Sequence, residues 1–109
     1  GRIDWSMGPQ EIINLIRGLN PWPGAYTRWQ GMQIKIFKAE VISSEFGVRS
    51  PEIKTIEPGT IINISADGIC VAAGKGMLRI TELQPESRSR MSASEFIKGY
   101  KIGKGQIFD

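Results

Sequence analysis

The stretch PGTIINISADGICVAAGKGMLRITELQP, residues 58–85, decides the fold. It holds three short runs rich in β-branched and apolar residues, at 60–64, 69–73 and 77–83. They are separated by Asp67-Gly68 and by Gly74-Lys75-Gly76, the residue types that close tight hairpins. Three short strands at such close spacing form a meander, the usual building block of a small barrel or sandwich.

Upstream, residues 25–29 and 33–42 read as two further strands joined at Gln30-Gly31. In the second, Ile34 and Ile36 share one face by alternation, whereas Phe37, Ala39 and Val41 share the other. A one-residue change of phase is what a β-bulge produces, and bulges bend strands around barrels. Phe37 reads as core. Residues 43–57 lack clear periodicity and are expected to form a loop with a short extended piece.

Before the strands, Ile12, Leu15, Ile16 and Leu19 fall at the i, i+3, i+4, i+7 spacing of an amphipathic helix over Pro9–Leu19, with Pro9 suited to the first turn. Pro21 and Pro23 cannot continue it, so NPWPGA is a rigid connector, with Trp22 expected to anchor helix to barrel and Gly24 to ease the passage into the first strand. After the meander, Ser92-Ala93-Ser94-Glu95 is a capping box, and Met91 and Phe96 hold hydrophobic-staple positions. A short helix over 93–98 follows, and Tyr100 to Phe108 returns as a strand-like tail. The expected fold is mainly β: a small barrel or sandwich with an N-terminal helix and one short helix near the C-terminus.

With 109 residues, 40% of them hydrophobic and 23% charged, the chain suits one globular domain. No apolar run approaches the roughly 20 residues of a membrane helix. One cysteine, Cys70, and no histidine exclude thiolate or imidazole zinc sites and any Ser/His or Cys/His nucleophile pair. Cys70 reads as a buried strand thiol. The GKG sequences at 74–76 and 103–105 lack P-loop spacing; the first reads as hairpin chemistry, whereas the second is open between a turn and a flexible basic tail whose Lys104 approaches a nucleic acid backbone.

Charge is unevenly placed. Residues 1–74 carry seven basic side chains (Arg2, Arg17, Arg28, Lys35, Lys38, Arg49, Lys54) and seven acidic ones, whereas residues 75–109 carry seven basic and four acidic ones, so the whole net charge of +3 lies in the last third. Such asymmetry points to a polyanion-binding face, with an ordinary solvated surface as the alternative. Arg88-Ser89-Arg90, followed by Lys98, Lys101 and Lys104, is the densest part, and Arg and Lys make charge-assisted hydrogen bonds to phosphates.

Taken in order, IDW at 3–5, IRGLNPWPGAYT at 16–27, IKIFKAEVI at 34–42 and LQPESRSRMSASEFIKGY at 83–100 resemble the C-terminal domain of methionyl-tRNA formyltransferases, within the folate-dependent formyltransferase superfamily. The resemblance spans nearly the whole chain. It implies a small open OB-like Greek-key barrel over residues 1–109, with 1–24 as connecting helix and linker to an N-terminal Rossmann-type domain that holds 10-formyltetrahydrofolate and the catalytic residues. Neither catalytic residue, metal nor cofactor is then expected in the present chain. It further implies a cytoplasmic protein that contacts initiator methionyl-tRNA through phosphates, a role carried onto Arg88, Arg90, Lys98, Lys101 and Lys104, with Arg17 and Asn20 facing the partner domain. Where the family has glycine after LQPE, this chain has Ser87, which puts that turn in question. Two rival readings are a scaffold domain of a sugar-nucleotide formyltransferase or formyltetrahydrofolate dehydrogenase, and a freestanding OB-fold for single-stranded nucleic acid.

Overall fold

The computed structural model describes residues 1–20, 22–42 and 56–109. Helix α1, Pro9–Leu19, leads into β1, Ala25–Trp29, and β2, Met32–Val41. Then come β3, Ile61–Ser65; β4, Gly68–Ala73; β5, Gly76–Pro85; β6, Met91–Ser92; and helix α2, Ala93–Gly99. The loop expected over 43–57 lies outside the described residues from 43 to 55.

The strands form one antiparallel sheet ordered β1-β2-β5-β4-β3, with β6 beside β5. At the β1–β2 turn Gln30 and Gly31 both have positive φ, +50 and +80, the pattern of a type I′ hairpin, whose twist matches that of the flanking strands. The register of β2 on β5 slips between Ile36 and Ala39. This bulge puts Ile34, Ile36, Ala39 and Val41 opposite the apolar series Pro85, Leu83, Ile80 and Leu78, all on one face. Phe37 on β2 and Thr81 on β5 are left unpaired there, and Phe37, next to the inward-facing Ile36, points out of the core while the irregularity brings Ala39 and Val41 back to the Ile36 face. Phe37 is half-buried and lies under the Arg90 guanidinium, 4.4 Å from its ring centroid, so the expectation of a core Phe37 is corrected.

The barrel closes through the tail rather than through a sixth long strand. Thr60 bridges Ile107, Ile61 N–H donates to the Gln106 carbonyl (2.7 Å), and Phe108 N–H to that of Gly59 (2.8 Å). Across the gap, Asp109 N–H donates to the Arg28 carbonyl on β1 (2.8 Å). The tail thereby links β3 to β1, the two ends of the sheet, and blunts edges that would otherwise offer unpaired backbone groups. Trp5 reinforces the closure: its ring stacks on Phe108 at 5.8 Å, and its Nε1 donates to the buried Thr27 hydroxyl, which donates onward to the Asp109 carbonyl (2.9 and 2.8 Å).

Helix α1 buries Ile12, Ile13 and Ile16 against this barrel, and β4 is buried along its whole length, Cys70 included. Asn20 closes the helix end by donating from Nδ2 to the Phe37 carbonyl on β2 (2.9 Å). Trp22 does not share in this packing. It is 81% exposed, so the expected anchor between helix and barrel is wrong, and Trp5 and the α1 isoleucines supply the packing instead. Trp22→Ala is accordingly expected to change the stability of this chain by no more than about 0.5 kcal/mol, measured by chemical denaturation.

Candidate nucleic-acid interface

Trp29 organises the C-terminal third. It ends β1 on the inward phase set by Ala25 and Thr27, is nearly fully buried, and meets the rings of Phe96 and Tyr100 edge-on at 5.9 and 6.2 Å. Phe96 and Tyr100 stack on each other at 4.5 Å. The Trp29 indole Nε1 also donates to Gln106 Oε1 (3.0 Å), which accepts Gly103 N–H as well (2.8 Å). One buried ring thus fixes α2, which carries Lys98, the segment after it, which carries Lys101, and the turn over 103–106, which carries Lys104.

That last turn is not a loose tail. Gln106 N–H donates to the Gly103 carbonyl (3.2 Å) and Gly105 N–H to that of Ile61 (2.8 Å), leaving Lys104 at an exposed tip. Helix α2 starts as its sequence predicts, with Ser92 Oγ accepting Glu95 N–H (3.1 Å) and Glu95 Oε1 accepting Ser92 N–H (3.3 Å). Lys98 falls in its last turn, the end at which a cation is favoured by the helix dipole.

Arg88 emerges from the turn after β5. Its N–H donates to the Pro85 carbonyl (3.1 Å) and its own carbonyl accepts Gln84 Nε2 (2.7 Å). Ser87 there has φ +66, so serine holds the left-handed conformation that glycine adopts without strain, and the departure at this position leaves such a turn intact. Ser87→Gly is expected to stabilise the chain by about 0.5–1 kcal/mol in denaturant titration. Unchanged or reduced stability would mean that the serine side chain compensates for its backbone. The turn is tied to β2 by Glu86 N–H donating to the Gln33 carbonyl (3.0 Å). Gln33 faces Arg28, next to Trp29, so the turns bearing Arg88 and Lys104 are both fastened around the free end of the β1–β2 hairpin.

The five cations are not equivalent. Arg88, Lys98, Lys101 and Lys104 are exposed, and none pairs with a carboxylate among the described residues. Arg90 is engaged: its Nε pairs with Glu82 Oε1 while its guanidinium covers Phe37, because β6 lies beside β5 with Ser92 opposite Glu82. Glu82 also faces Lys38, at 3.7 Å. No local pairing in the amino-acid order signals this bridge, whose partners become neighbours only through sheet register.

Arg17 and Asn20 sit apart, lining a groove of about 420 Å³ between α1 and β2 together with Ile13, Phe37, Lys38 and Glu40. Arg17 is exposed, whereas Asn20 is occupied with the Phe37 carbonyl. Elsewhere an open concavity carries Asp4, Glu57 and Asp109, charges that would repel a polyanion. There the Ser6 hydroxyl (2.6 Å) and then the Ser6 N–H (3.0 Å) hold the Asp4 carboxyl below its usual range. Among the described residues no group of three or more His, Cys, Asp or Glu is placed to hold a metal ion, and no helix is long and apolar enough to cross a membrane.

Residues 1–101 match the family model for the formyl transferase C-terminal domain. The chain belongs to this family. Formyl transferase C-terminal domains similar to it occur in the methionyl-tRNA formyltransferases of Geobacter metallireducens (45% identity over 96% of this chain and 30% of that protein) and Acetivibrio thermocellus (37%, over 98% and 32%). The chain therefore spans about a third of the length of these relatives. Among solved structures, HypX from Aquifex aeolicus in complex with tetrahydrofolic acid superposes with a TM-score of 0.68 at 15% identity, over 96% of this chain and 18% of that one, a likeness of fold.

Proposed function

We propose that this chain is the tRNA-binding and tRNA-positioning C-terminal domain of a cytoplasmic methionyl-tRNA formyltransferase. The observation that carries the reading is the identity of 37–45%, along nearly the whole chain, to proteins of that name. The exposed cations give it a physical basis. In this reading residues 1–24 connect to an N-terminal Rossmann-type domain, which holds 10-formyltetrahydrofolate and performs the transfer to initiator methionyl-tRNA. Arg17, exposed on α1, faces that domain together with Asn20.

Arg88, Lys98, Lys101 and Lys104 neutralise phosphates along one strand of the tRNA. Phosphate contacts fix register and orientation without reading bases, so this domain steers and holds the substrate while discrimination of the initiator lies mainly elsewhere. Arg90 contributes less until its pair with Glu82 opens, which costs little at an exposed site.

Two assays test the reading together. The 109-residue chain should bind tRNA in the range of about 10⁻⁴ to 10⁻⁶ M near physiological salt, and show no formyl transfer to charged initiator tRNA when given the donor. Absence of tRNA binding at low salt would favour the rival reading of a scaffold domain. Turnover by the purified chain alone would overturn the division of labour.

A further inference from the structure

The outer surface of β1, β2 and β5 extends the basic face beyond the residues that sequence reading assigned to it. Opposed residues on neighbouring strands share a face, so the register aligns Tyr26, Lys35 and Gln84 in one row across the three strands. Lys35 and Gln84 line a pocket of about 210 Å³ together with Gln33, Pro85, Glu86 and Ser87. The pocket is built onto the turn that bears Arg88. Pro85 supplies the carbonyl that accepts Arg88 N–H, and Gln84 Nε2 holds the Arg88 carbonyl.

Lys35 is held at this rim in an uncommitted state. Its aliphatic stem passes Gly24, whose φ is +91 and where a Cβ would stand 3.5 Å from Lys35 Cδ. No carboxylate among the described residues pairs with its ammonium. The nearby acid, Glu86, is turned onto the β2 backbone, its Oε1 accepting Gln33 N–H at 3.0 Å. The result is a cation flanked by amides and a serine hydroxyl, beside an exposed arginine, with one carboxylate, Glu86, in the lining against two cations. Charged and neutral donors gathered in this way suit a phosphodiester.

We propose that Lys35 is a phosphate contact of the tRNA interface, in a pocket it shares with Gln33, Gln84 and Ser87, so that one strand runs from the Arg88 turn onto the outer face of β2. The proposal rests on the reading that this chain binds tRNA through Arg88 and its neighbours. It brings Lys35 into the basic face, although sequence alone places it in the neutral part of the chain.

The test compares Lys35→Gln, Arg88→Gln and Lys75→Gln, each removing one positive charge, in salt titrations of tRNA binding to the 109-residue chain. Lys75 serves as the control because it is exposed on the β4–β5 turn, which packs against the N-terminal segment through Gly74 N–H and the Met7 carbonyl (2.9 Å). Lys35→Gln should lower the slope of log affinity against log salt by about 0.7–0.9, as Arg88→Gln does, and weaken binding about fourfold to fivefold near 0.15 M salt. Lys75→Gln should leave the slope unchanged. If Arg88→Gln lowers the slope and Lys35→Gln behaves like Lys75→Gln, the Lys35 contact is refuted while the tRNA reading stands. If the unaltered chain fails to bind tRNA, or Arg88→Gln leaves the slope unchanged, the tRNA reading falls and the Lys35 contact with it.

Discussion

Phe96→Ala should destabilise the chain by about 3–5 kcal/mol, enough to leave much of a small domain unfolded. Phe96 is completely buried, stacks on Tyr100 at 4.5 Å and meets Trp29 edge-on at 5.9 Å. Truncation removes its own burial, leaves a cavity in the cluster, and forfeits two aromatic contacts of about 0.5–1.5 kcal/mol each beyond area burial. It also cuts α2 from the barrel, so Lys98 and Lys101 lose their fixed positions. Phe96→Leu, which keeps most of the volume, should cost markedly less. Urea titration of both variants measures the difference. A loss below about 1 kcal/mol for Phe96→Ala would mean that α2 is held by other contacts and that the Trp29 cluster is not the organising element of this region.

The second large effect is on binding. Replacing Arg88, Lys98, Lys101 and Lys104 together with glutamine should reduce tRNA affinity by about two to three orders of magnitude near 0.15 M salt. This follows from about 0.6–0.7 log units for each phosphate contact, obtained by extending the counterion-release slope from 1 M salt. All four side chains are exposed and outside the described ion pairs, so the fold should survive, with changes within about 0.5 kcal/mol at each position. Stability and affinity must be measured on the same preparation. A stable quadruple variant that keeps its affinity would place the tRNA contact on another surface.

Much of the architecture is legible in the amino-acid order because local rules are strong here. The two-fold alternation in β2, its change of phase between Ile36 and Ala39, the Gln30-Gly31 turn and the Ser92 capping box each act within a few residues, and each is found where periodicity places it. What was not legible depends on distant partners. Trp22 and Trp29 look alike as aromatic residues near turns, but Gln106, 77 residues later, returns to the indole of the buried Trp29, whereas Trp22 is left exposed among the described residues. Phe37 shares its alternation with Ala39 and Val41, but the irregularity after it returns only those two to the Ile36 face and leaves Phe37 outward. Barrel closure by residues 105–109 joins backbone hydrogen bonds to side-chain contacts with Trp5, Thr27 and Trp29, partners at least 77 residues away in sequence.

The candidate site divides in the same way. The excess of basic residues after position 75 is visible at once, but which of these cations are available is decided in three dimensions. Arg90 is committed to Glu82 through the pairing of β6 with β5, while Lys35, from the electrically neutral part of the chain, comes to lie beside the Arg88 turn. Net charge along the sequence locates the region; sheet register selects the members.

The most direct test of the central claim is the salt dependence of tRNA affinity after single replacements at Arg88, Lys98, Lys101 and Lys104, set against charge-matched replacements at Arg2 and Lys75. Each member of the first set should lower the slope of log affinity against log salt by about 0.7–0.9, and to a similar extent for initiator and elongator tRNAs, since phosphates carry no direct sequence information. The second set should leave the slope where it was. Equal effects from both sets would show that net charge alone governs binding, and an unchanged slope for the first set would contradict a phosphate-binding face in this part of the chain.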